Sequence, residues 1–330
     1  MLTLLLVGAI IIVGYILLRI YVVNGPRTPS EFLPQNLKNK NIVITGASNG
    51  IGRFTAIELF KKQARVILAC RNEEKTKQMI RDILNECKNV KNCGTLEFVK
   101  LNLDDLESVK DCSVEILKKV DHVDVLINNA GSLSGDIKYN SKYECEEMVF
   151  SNAIAHHLLI ELLWSNMENN PNGSRIVVVA SNAHQFVSEN DFYQSSTKTH
   201  SMKQYYGLSK LCNIYQTFHF HEERISKSKH ANITINCCHP GAIRTGLMSS
   251  NQMPLVFKIV FSLIELLFFK NVEQGSQNTL HLACSSSVNG ISGQYFHDCH
   301  IAQPSSLTFN KQLQNEFISI TNEIIKPYLQ

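Results

Sequence analysis

The sequence predicts an α/β protein built on one doubly wound parallel sheet with helices on both faces. Two observations predict it. From residue 41 onward, short apolar runs rich in Val and Ile alternate with longer amphipathic stretches. The first apolar run leads directly into a glycine-rich turn, and a helical pattern follows. Strands separated by helices pair in parallel, and both faces of such a sheet are covered.

The apolar runs have the length of strands, and the amphipathic stretches have the length of helices. In chain order, strands are expected at 42–45, 65–69, 96–101, 123–127, 175–180 and 234–238, with a short seventh strand at 294–296. Helices are expected at 53–62, 73–87, 106–119, 146–167, 204–224 and 274–285. Residues 41–330 are therefore expected to form one domain with a substantial core.

The first 23 residues differ from the rest and predict a membrane-anchor helix. Their first charged side chain is Arg19, and the apolar run before it has the roughly 17–25 residues that a bilayer core requires. No basic residue precedes the run and no clear cleavage site follows it, which favours a retained anchor over a signal peptide. Basic residues come after it, so the bulk of the chain is expected on the cytosolic side. Residues 24–40, which include three prolines, are expected to be a linker.

The overall composition argues against two kinds of site. Basic and acidic residues nearly balance, 32 against 29, so no basic field indicates a nucleic-acid partner. The ten cysteines show no C-x-x-C spacing, so neither a zinc site nor a redox pair is indicated, and no metal is expected. Scattered thiols in a chain of this length fit a reducing compartment.

The glycine-rich turn runs from Thr45 to Gly52 and indicates a dinucleotide site. Gly46 permits the tight turn, Gly50 lets the backbone approach a pyrophosphate, and Gly52 lets the helix pack on the strand. The helix N-terminus then offers N–H donors and a positive dipole end. The turn is completed by Ser48, Asn49 and Ile51, which belong to the same expected site.

The end of the second expected strand selects the cofactor. NAD enzymes usually place an acidic residue there, whereas this chain has Ala69-Cys70-Arg71. Arg71 can pair with a 2′-phosphate, so NADP(H) is favoured over NAD(H). Arg53 either assists Arg71 or is an ordinary exposed helix residue. Asn128-Asn129-Ala130-Gly131, after the fourth strand, suits a loop that supports the cofactor and would also fit a simple turn.

Tyr206 and Lys210 indicate proton transfer. They lie at i and i+4 in an expected helix, so both project from one face. A nearby ammonium is expected to lower the pKa of the phenol, which then exchanges a proton with a carbonyl or alcohol oxygen near neutral pH. Both residues are also expected at the cofactor, Lys210 through the hydroxyls of the nicotinamide ribose.

Further residues complete the expected site. Ser181 follows the fifth strand, where its hydroxyl would hold the substrate oxygen beside the phenol. Asn152, early in the fourth helix, would hold a water that links Lys210 to solvent. Pro240 and Gly241 follow the sixth strand and would close over the nicotinamide, and Thr245 would bind its carboxamide or a phosphate.

These motifs resemble those of the short-chain dehydrogenase/reductase family over about residues 38–325. T-G-x-x-x-G-I-G, N-N-A-G, Asn152, Ser181, Tyr206-x-x-x-Lys210 and Pro240-Gly241 occur in the family's order. Ala69-Cys70-Arg71, His239-Pro240-Gly241 and the run 292–299 are similar to the membrane-anchored retinol dehydrogenases. The resemblance implies a Rossmann fold, NADPH, and reduction of retinal or a related lipid aldehyde or ketone.

The resemblance also implies partners and a location. A small lipophilic substrate and a membrane are the expected partners, a homodimer is allowed, and no nucleic acid is expected. The expected membrane is the endoplasmic reticulum, with the catalytic domain facing the cytosol.

Three positions depart from the subgroup's usual pattern: Asn102 stands for Asp, Ala180 for Ser and Ala155 for Gly. Asn102 can still accept a hydrogen bond from an adenine amino group, and it is retained as an expected cofactor contact.

Several alternatives stay open. Residues 254–269 are almost wholly apolar and fit a buried helix, a lid over an apolar pocket, or a second membrane contact. Retinoid, steroid and fatty-aldehyde substrates all fit an apolar pocket. A membrane-attached scaffold without activity is the rival to an enzyme, and the intact catalytic set favours the enzyme. Core or surface positions are expected for three histidines, His156, His157 and His184, because no spacing suggests a metal.

Overall fold

The computed structural model describes residues 13–15, 32–34, 36–133, 137–193, 202–228, 232–243 and 269–330. Over these ranges, no helix has the length and apolar character needed to cross a membrane. The anchor expected at 1–23 and the apolar stretch at 254–269 lie almost entirely outside the described residues, as does Thr245. These assignments therefore stay predictions.

Short strands of Val and Ile build the sheet. The strands are β1 Asn41–Thr45, β2 Arg65–Cys70, β3 Thr95–Lys100, β4 Val125–Asn128, β5 Tyr139–Asn140, β6 Cys145–Glu146, β7 Ser174–Val179, β8 Ile233–His239, β9 Tyr295–His297 and β10 His300–Ile301. Eight of them form one sheet in the order β10-β9-β8-β7-β4-β1-β2-β3. Neighbours pair in parallel except β10, which runs antiparallel to β9. β5 and β6 form a separate antiparallel ribbon.

Helices connect the strands, as parallel pairing requires. The longer ones are α1 Gly50–Lys61, α2 Glu73–Glu86, α3 Leu106–Lys119, α4 Ala155–Glu168, α5 Met202–Phe220, α6 Val272–Cys284 and α7 Lys311–Ile325. A three-residue helix and a π-turn, Glu147–Val149 and Phe150–Ile154, lead into α4.

Side chains alternate across the sheet, and each set builds its own core. In β1, Val43 belongs to the cluster that includes α3, α4, α5 and α7. Ile42 and Ile44 belong to the cluster that includes α1, α2 and α6. All three side chains are fully buried. The sheet therefore separates two apolar layers, which confirms the predicted α/β fold with helices on both faces.

The sequence pattern does not predict the β5–β6 ribbon, the edge strand β10, the short helix Glu189–Tyr193 or helix α7. Two-residue strands such as β10 carry too little periodicity to be recognised. Helix α7 does carry signals, because its N-cap Asn310 accepts from the N–H groups of Gln312 and Leu313, and Leu313 and Phe317 lie on its buried face. Within the described residues, each strand and helix predicted from residue 41 onward is present with shifted boundaries, and the π-turn Phe150–Ile154 interrupts the helix expected at 146–167.

The parallel strands bring their carboxyl ends to one edge of the sheet. β1 ends at Thr45, β4 at Asn128, β7 at Val179 and β8 at His239. The glycine turn, the loop after β4, Ser181 and Pro240 follow these ends directly. Ligands of open α/β sheets bind at such an edge.

Candidate active site

The glycine turn after β1 has a backbone that glycine adopts far more readily than other residues. Gly46 has a φ of +69° and Gly50 a φ of +58°. A Cβ added at Gly52 would lie 2.5 Å from Asn129 Nδ2 and 2.8 Å from the Gly46 carbonyl oxygen. The turn is therefore pressed against the loop that follows β4, and a side chain at Gly52 would push the two apart.

Asn129 is hydrogen-bonded to the backbone of this glycine turn through its side-chain amide. Its Nδ2 donates to the carbonyl oxygen of Thr45 at 2.9 Å and to that of Gly46 at 3.3 Å. The Thr45 hydroxyl accepts from the backbone N–H groups of Asn129, at 3.0 Å, and Ala130, at 2.9 Å. The loop after β4 therefore fixes the shape of the glycine turn.

The start of α1 fits a phosphate group. Asn49 is the N-cap residue, and its side chain makes no capping hydrogen bond to the first N–H groups of the helix. Helix N-termini with open N–H groups favour anions through those donors and through the helix dipole. Together with the left-handed glycines, this turn fits the pyrophosphate of a dinucleotide. Ser48 and Ile51 lie within the same turn.

Arg71 lies just beyond β2, and its side chain is 73% exposed. Its Nη1 donates to Asp104 Oδ2 at 2.9 Å, and Lys100 Nζ donates to the Arg71 carbonyl oxygen at 2.6 Å. Arg53 is paired elsewhere, with its Nη2 2.8 Å from Glu86 Oε1 on the surface between α1 and α2. Arg71 follows the carboxyl end of β2, where the sequence predicts the 2′-phosphate contact, and Arg53 lies in the first turn of α1.

Two other expected cofactor contacts lie in loops at the same edge. Asn102, after β3, accepts from the Asp104 N–H through Oδ1 at 3.4 Å. Gly241, next to Pro240, has a φ of +85°, and its N–H donates to His239 Nδ1 at 3.0 Å. Both segments follow strand ends, so the fold brings them to the edge that carries the glycine turn.

Lys210 is buried on α5 and is held by the end of β7. Its Nζ donates to the Val179 carbonyl oxygen at 2.9 Å and lies 5.7 Å from the centre of the Tyr206 ring. Burial lowers the pKa of Lys210 to about 8. A Cβ added at Gly131 would lie 3.1 Å from this Nζ, so the glycine leaves space beside the amine.

The Ser181 hydroxyl lies beside the Tyr206 phenol and favours its ionised form. Ser181 follows β7 directly and begins a 3₁₀ turn, where its Oγ accepts from the Ala183 N–H at 3.2 Å. Burial raises the pKa of Tyr206, and the Ser181 hydroxyl offsets only part of that effect. The expected lowering of this pKa by Lys210 is wrong, because the lysine nitrogen is turned to the Val179 carbonyl. The phenol is therefore neutral at neutral pH.

Asn152 lies in the π-turn Phe150–Ile154, a local irregularity that is frequent at functional sites. Its Oδ1 accepts from the Ser132 N–H at 2.9 Å, and its Nδ2 donates to the Ser132 carbonyl oxygen and to Ser209 Oγ, both at 3.1 Å. Ser209 Oγ donates to the Tyr206 carbonyl oxygen at 2.8 Å. Asn152 thus joins the loop after β4 to helix α5.

Two buried histidines contact this cluster, although the sequence suggests only core or surface positions for them. His184 Nδ1 lies 2.6 Å from the Ser181 carbonyl oxygen, and its Nε2 accepts from the Ser305 N–H at 3.1 Å. His156 Nδ1 lies 2.9 Å from the Asn152 carbonyl oxygen. The contacts with Ser181 and Asn152 are local, three and four positions apart. Ser305 lies 121 positions from His184, and no sequence spacing marks that contact.

This arrangement can place and move a proton. The neutral Tyr206 phenol and the Ser181 hydroxyl lie together, and an oxygen atom placed beside both could accept a hydrogen bond from each. Lys210, on the same helix as Tyr206, and Asn152, in the π-turn Phe150–Ile154, complete the cluster. In the part of the chain that the structure describes, no group of three or more His, Cys, Asp or Glu side chains could hold a metal ion.

Comparison with known proteins places the chain in context. Residues 40–254 match the family model for short chain dehydrogenase. Retinol dehydrogenase 14 of Homo sapiens is 34% identical over 276 residues, which cover 81% of this chain and 80% of that protein. Retinol dehydrogenase 11 of Homo sapiens is 31% identical over 290 residues, which cover 88% and 86%. The crystal structure of an uncharacterised protein from Mycobacterium paratuberculosis has a TM-score of 0.68 at 22% identity, over 91% of this chain and 98% of that one, which is a likeness in fold alone.

Proposed function

The chain belongs to the short-chain dehydrogenase/reductase family and resembles the retinol dehydrogenases within it, and on that premise we propose that it interconverts a lipophilic alcohol and its aldehyde or ketone with NADP(H). Tyr206 is the general acid in reduction and the general base in oxidation. The observation that carries this proposal is the cluster of the Tyr206 phenol, the Ser181 hydroxyl beside it and the buried Lys210, whose Nζ lies 5.7 Å from the centre of the Tyr206 ring.

In the proposed reduction, the substrate oxygen lies between Ser181 Oγ and Tyr206 Oη. NADPH, when bound, would supply the hydride for the carbonyl carbon. Tyr206 gives its proton to the oxygen, so the alcohol forms and the phenol becomes a phenolate. Lys210, as an ammonium, stabilises that phenolate, and Asn152 holds the water through which the proton is replaced. Oxidation uses the same groups in reverse.

The preference for NADP(H) over NAD(H) rests on the end of β2. That end reads Ala69-Cys70-Arg71, so no acidic side chain is there to repel a 2′-phosphate. The Arg71 guanidinium is exposed, and its partner Asp104 is itself 47% exposed. Exposed ion pairs are weak, whereas a phosphate offers Arg71 a charge-assisted contact. A 2′-phosphate can therefore compete with Asp104 for Arg71.

Retinol and retinal are the proposed substrate pair. The names of the relatives, retinol dehydrogenases 14 and 11, point to them. The test compares turnover of retinal, a steroid ketone and a long-chain aldehyde with NADPH. Preference for the steroid or the fatty aldehyde would replace retinal, and turnover of none of them would favour a scaffold.

We further propose that residues 1–23 anchor the protein in the endoplasmic reticulum membrane, with 24–40 as a linker and 41–330 as the cytosolic domain. The uninterrupted apolar run before Arg19 and the basic residues after it support this orientation. The full chain should stay with the membrane pellet in alkaline carbonate, and protease added to intact microsomes should digest the domain. Release of the full chain by carbonate, or protection from protease, would contradict the proposal.

A further inference from the structure

His156 links the glycine turn after β1 to the π-turn Phe150–Ile154 through both of its ring nitrogens. It lies on α4, two residues after the π-turn ends, and is almost fully buried. Its Nε2 is 2.9 Å from Thr45 Oγ1, and its Nδ1 is 2.9 Å from the Asn152 carbonyl oxygen. One imidazole thus spans the end of β1 and the π-turn.

The partners fix which ring nitrogen carries the proton. A threonine hydroxyl has two acceptor positions and one proton. In Thr45 both acceptor positions are used by the N–H groups of Asn129 and Ala130, so the hydroxyl proton is left to point at His156 Nε2. Nε2 is then the acceptor, and Nδ1 carries the hydrogen that it donates to the Asn152 carbonyl. When His156 is neutral and carries its hydrogen on Nδ1, every donor and acceptor in this series of hydrogen bonds has a partner.

The line of hydrogen bonds continues on the far side of Asn152. Its side-chain amide reaches Ser209 Oγ, which donates to the Tyr206 carbonyl oxygen. Asn152 therefore accepts a hydrogen bond from His156 through its backbone carbonyl and donates one to Ser209, on α5, through its side-chain amide. Beyond His156, the line reaches the loop that braces the glycine turn.

We propose that His156 is a positioning residue for the reaction proposed above. Its two hydrogen bonds fix the position of the π-turn that carries Asn152 relative to the glycine turn. The inference rests on that proposed function. Loss of the ring nitrogens would leave the fold in place and let Asn152 shift relative to Lys210 and Tyr206. Small displacements of positioned groups cost rate, by as much as about 100-fold for 1 Å.

His157 is the matched control. It is the next residue on α4, is also fully buried, and packs on Phe220 with ring centroids 4.7 Å apart. Neither of its ring nitrogens has a hydrogen-bond partner, and its Nε2 is 3.9 Å from Glu161. A phenylalanine at 156 or at 157 therefore makes a similar change in buried volume and polarity, and only the change at 156 breaks the Thr45–Asn152 link.

The experiment compares His156→Phe with His157→Phe in the full-length enzyme, using NADPH and the carbonyl substrate that the wild type turns over best. We expect kcat to fall about 10- to 100-fold in His156→Phe, with the carbonyl KM little changed, and to stay near the wild-type value in His157→Phe. His156→Asn, which keeps a donor near the Nδ1 position, and His156→Gln, which keeps an acceptor near the Nε2 position, should each recover part of the loss. Equal kcat in His156→Phe and His157→Phe would overturn the inference.

A second readout needs no turnover. In protein labelled with ¹⁵N-histidine, the His156 ring should show the neutral Nδ1–H form without cofactor, and Thr45→Val should shift its Nε2 resonance. The opposite tautomer, or no response to Thr45→Val, would contradict the positioning role even if every variant folds poorly. A wild type that turns over no carbonyl yet shows the expected tautomer would sink the proposed function and leave the hydrogen-bonded link standing.

Discussion

Lys210 donates its hydrogen bond to the Val179 carbonyl oxygen, 2.9 Å away, and not to Tyr206 four residues before it. The lysine is thereby tied to the end of β7 within the same cluster as the phenol. Burial leaves its pKa at about 8, whereas burial of Tyr206 raises the pKa of the phenol above its ordinary value. In the free enzyme, Lys210 is therefore the residue of the pair that titrates nearer neutral pH.

The pH dependence of reduction should accordingly follow Lys210. Below about pH 8 its amine is charged and can stabilise the phenolate, and above that value it is neutral. We expect kcat/KM for carbonyl reduction, which reports the free enzyme, to be level near pH 7 and to fall as pH rises through about 8. Lys210→Met should lose most activity and the inflection with it. A profile that stays flat up to pH 10 would contradict this role.

Arg71 should set the choice between the two nicotinamide cofactors. Arg71→Ala removes a charge-assisted contact to the 2′-phosphate, so we expect the KM for NADPH to rise about 10- to 100-fold and the KM for NADH to stay constant. Arg53→Ala is the matched control, because Arg53 is paired with Glu86. An equal loss with NADH, or a larger effect from Arg53→Ala, would speak against the assignment.

Two glycines should separate cofactor binding from catalysis. Gly52→Ala forces a Cβ against Asn129 and the Gly46 carbonyl, so we expect loss of NADPH-induced thermal stabilisation, with about 1–3 kcal/mol of destabilisation. Gly131→Ala instead meets the end of the flexible Lys210 side chain at 3.1 Å. It should still bind NADPH and lose kcat. Identical behaviour of the two variants would contradict the separation of roles.

Buried histidines should make the fold sensitive to acid. Burial lowers the pKa of His157 to about 3 and that of His156 to about 4. In the unfolded chain both imidazoles take up protons at about pH 6.5, whereas in the folded chain they stay neutral at that pH. The unfolded state then binds more protons, and stability falls as pH drops from about 6.5 toward 4. His157→Phe removes one such group and should lessen the slope by up to about 1.4 kcal/mol per pH unit. Urea unfolding at several pH values measures it, and parallel slopes for wild type and variant would refute the explanation.

The sequence predicts the fold well because strand and helix periodicity and the glycine turn agree with one another. Gly46, Gly50 and Gly52 are recognisable because a tight turn and a close packing contact leave no alternative to glycine there. The two-residue strands carry no such signal.

Contacts between distant segments lie beyond what spacing can show. Tyr206 and Lys210 share a helix face, yet only the fold shows that the lysine reaches Val179 and that burial dominates the pKa of the phenol. His156 meets Thr45 across 111 positions of sequence, so nothing near either residue marks the pair.

The proton-donor role of Tyr206 is tested by hydride transfer from NADPH to retinal in purified full-length protein, with Tyr206→Phe beside the wild type. We expect the wild type to consume NADPH and form retinol. In Tyr206→Phe, which keeps the ring and loses the proton, we expect a kcat lower by about 100-fold or more with NADPH binding retained. Wild-type and Tyr206→Phe enzymes that reduce retinal at the same rate would contradict the central claim that Tyr206 supplies the proton.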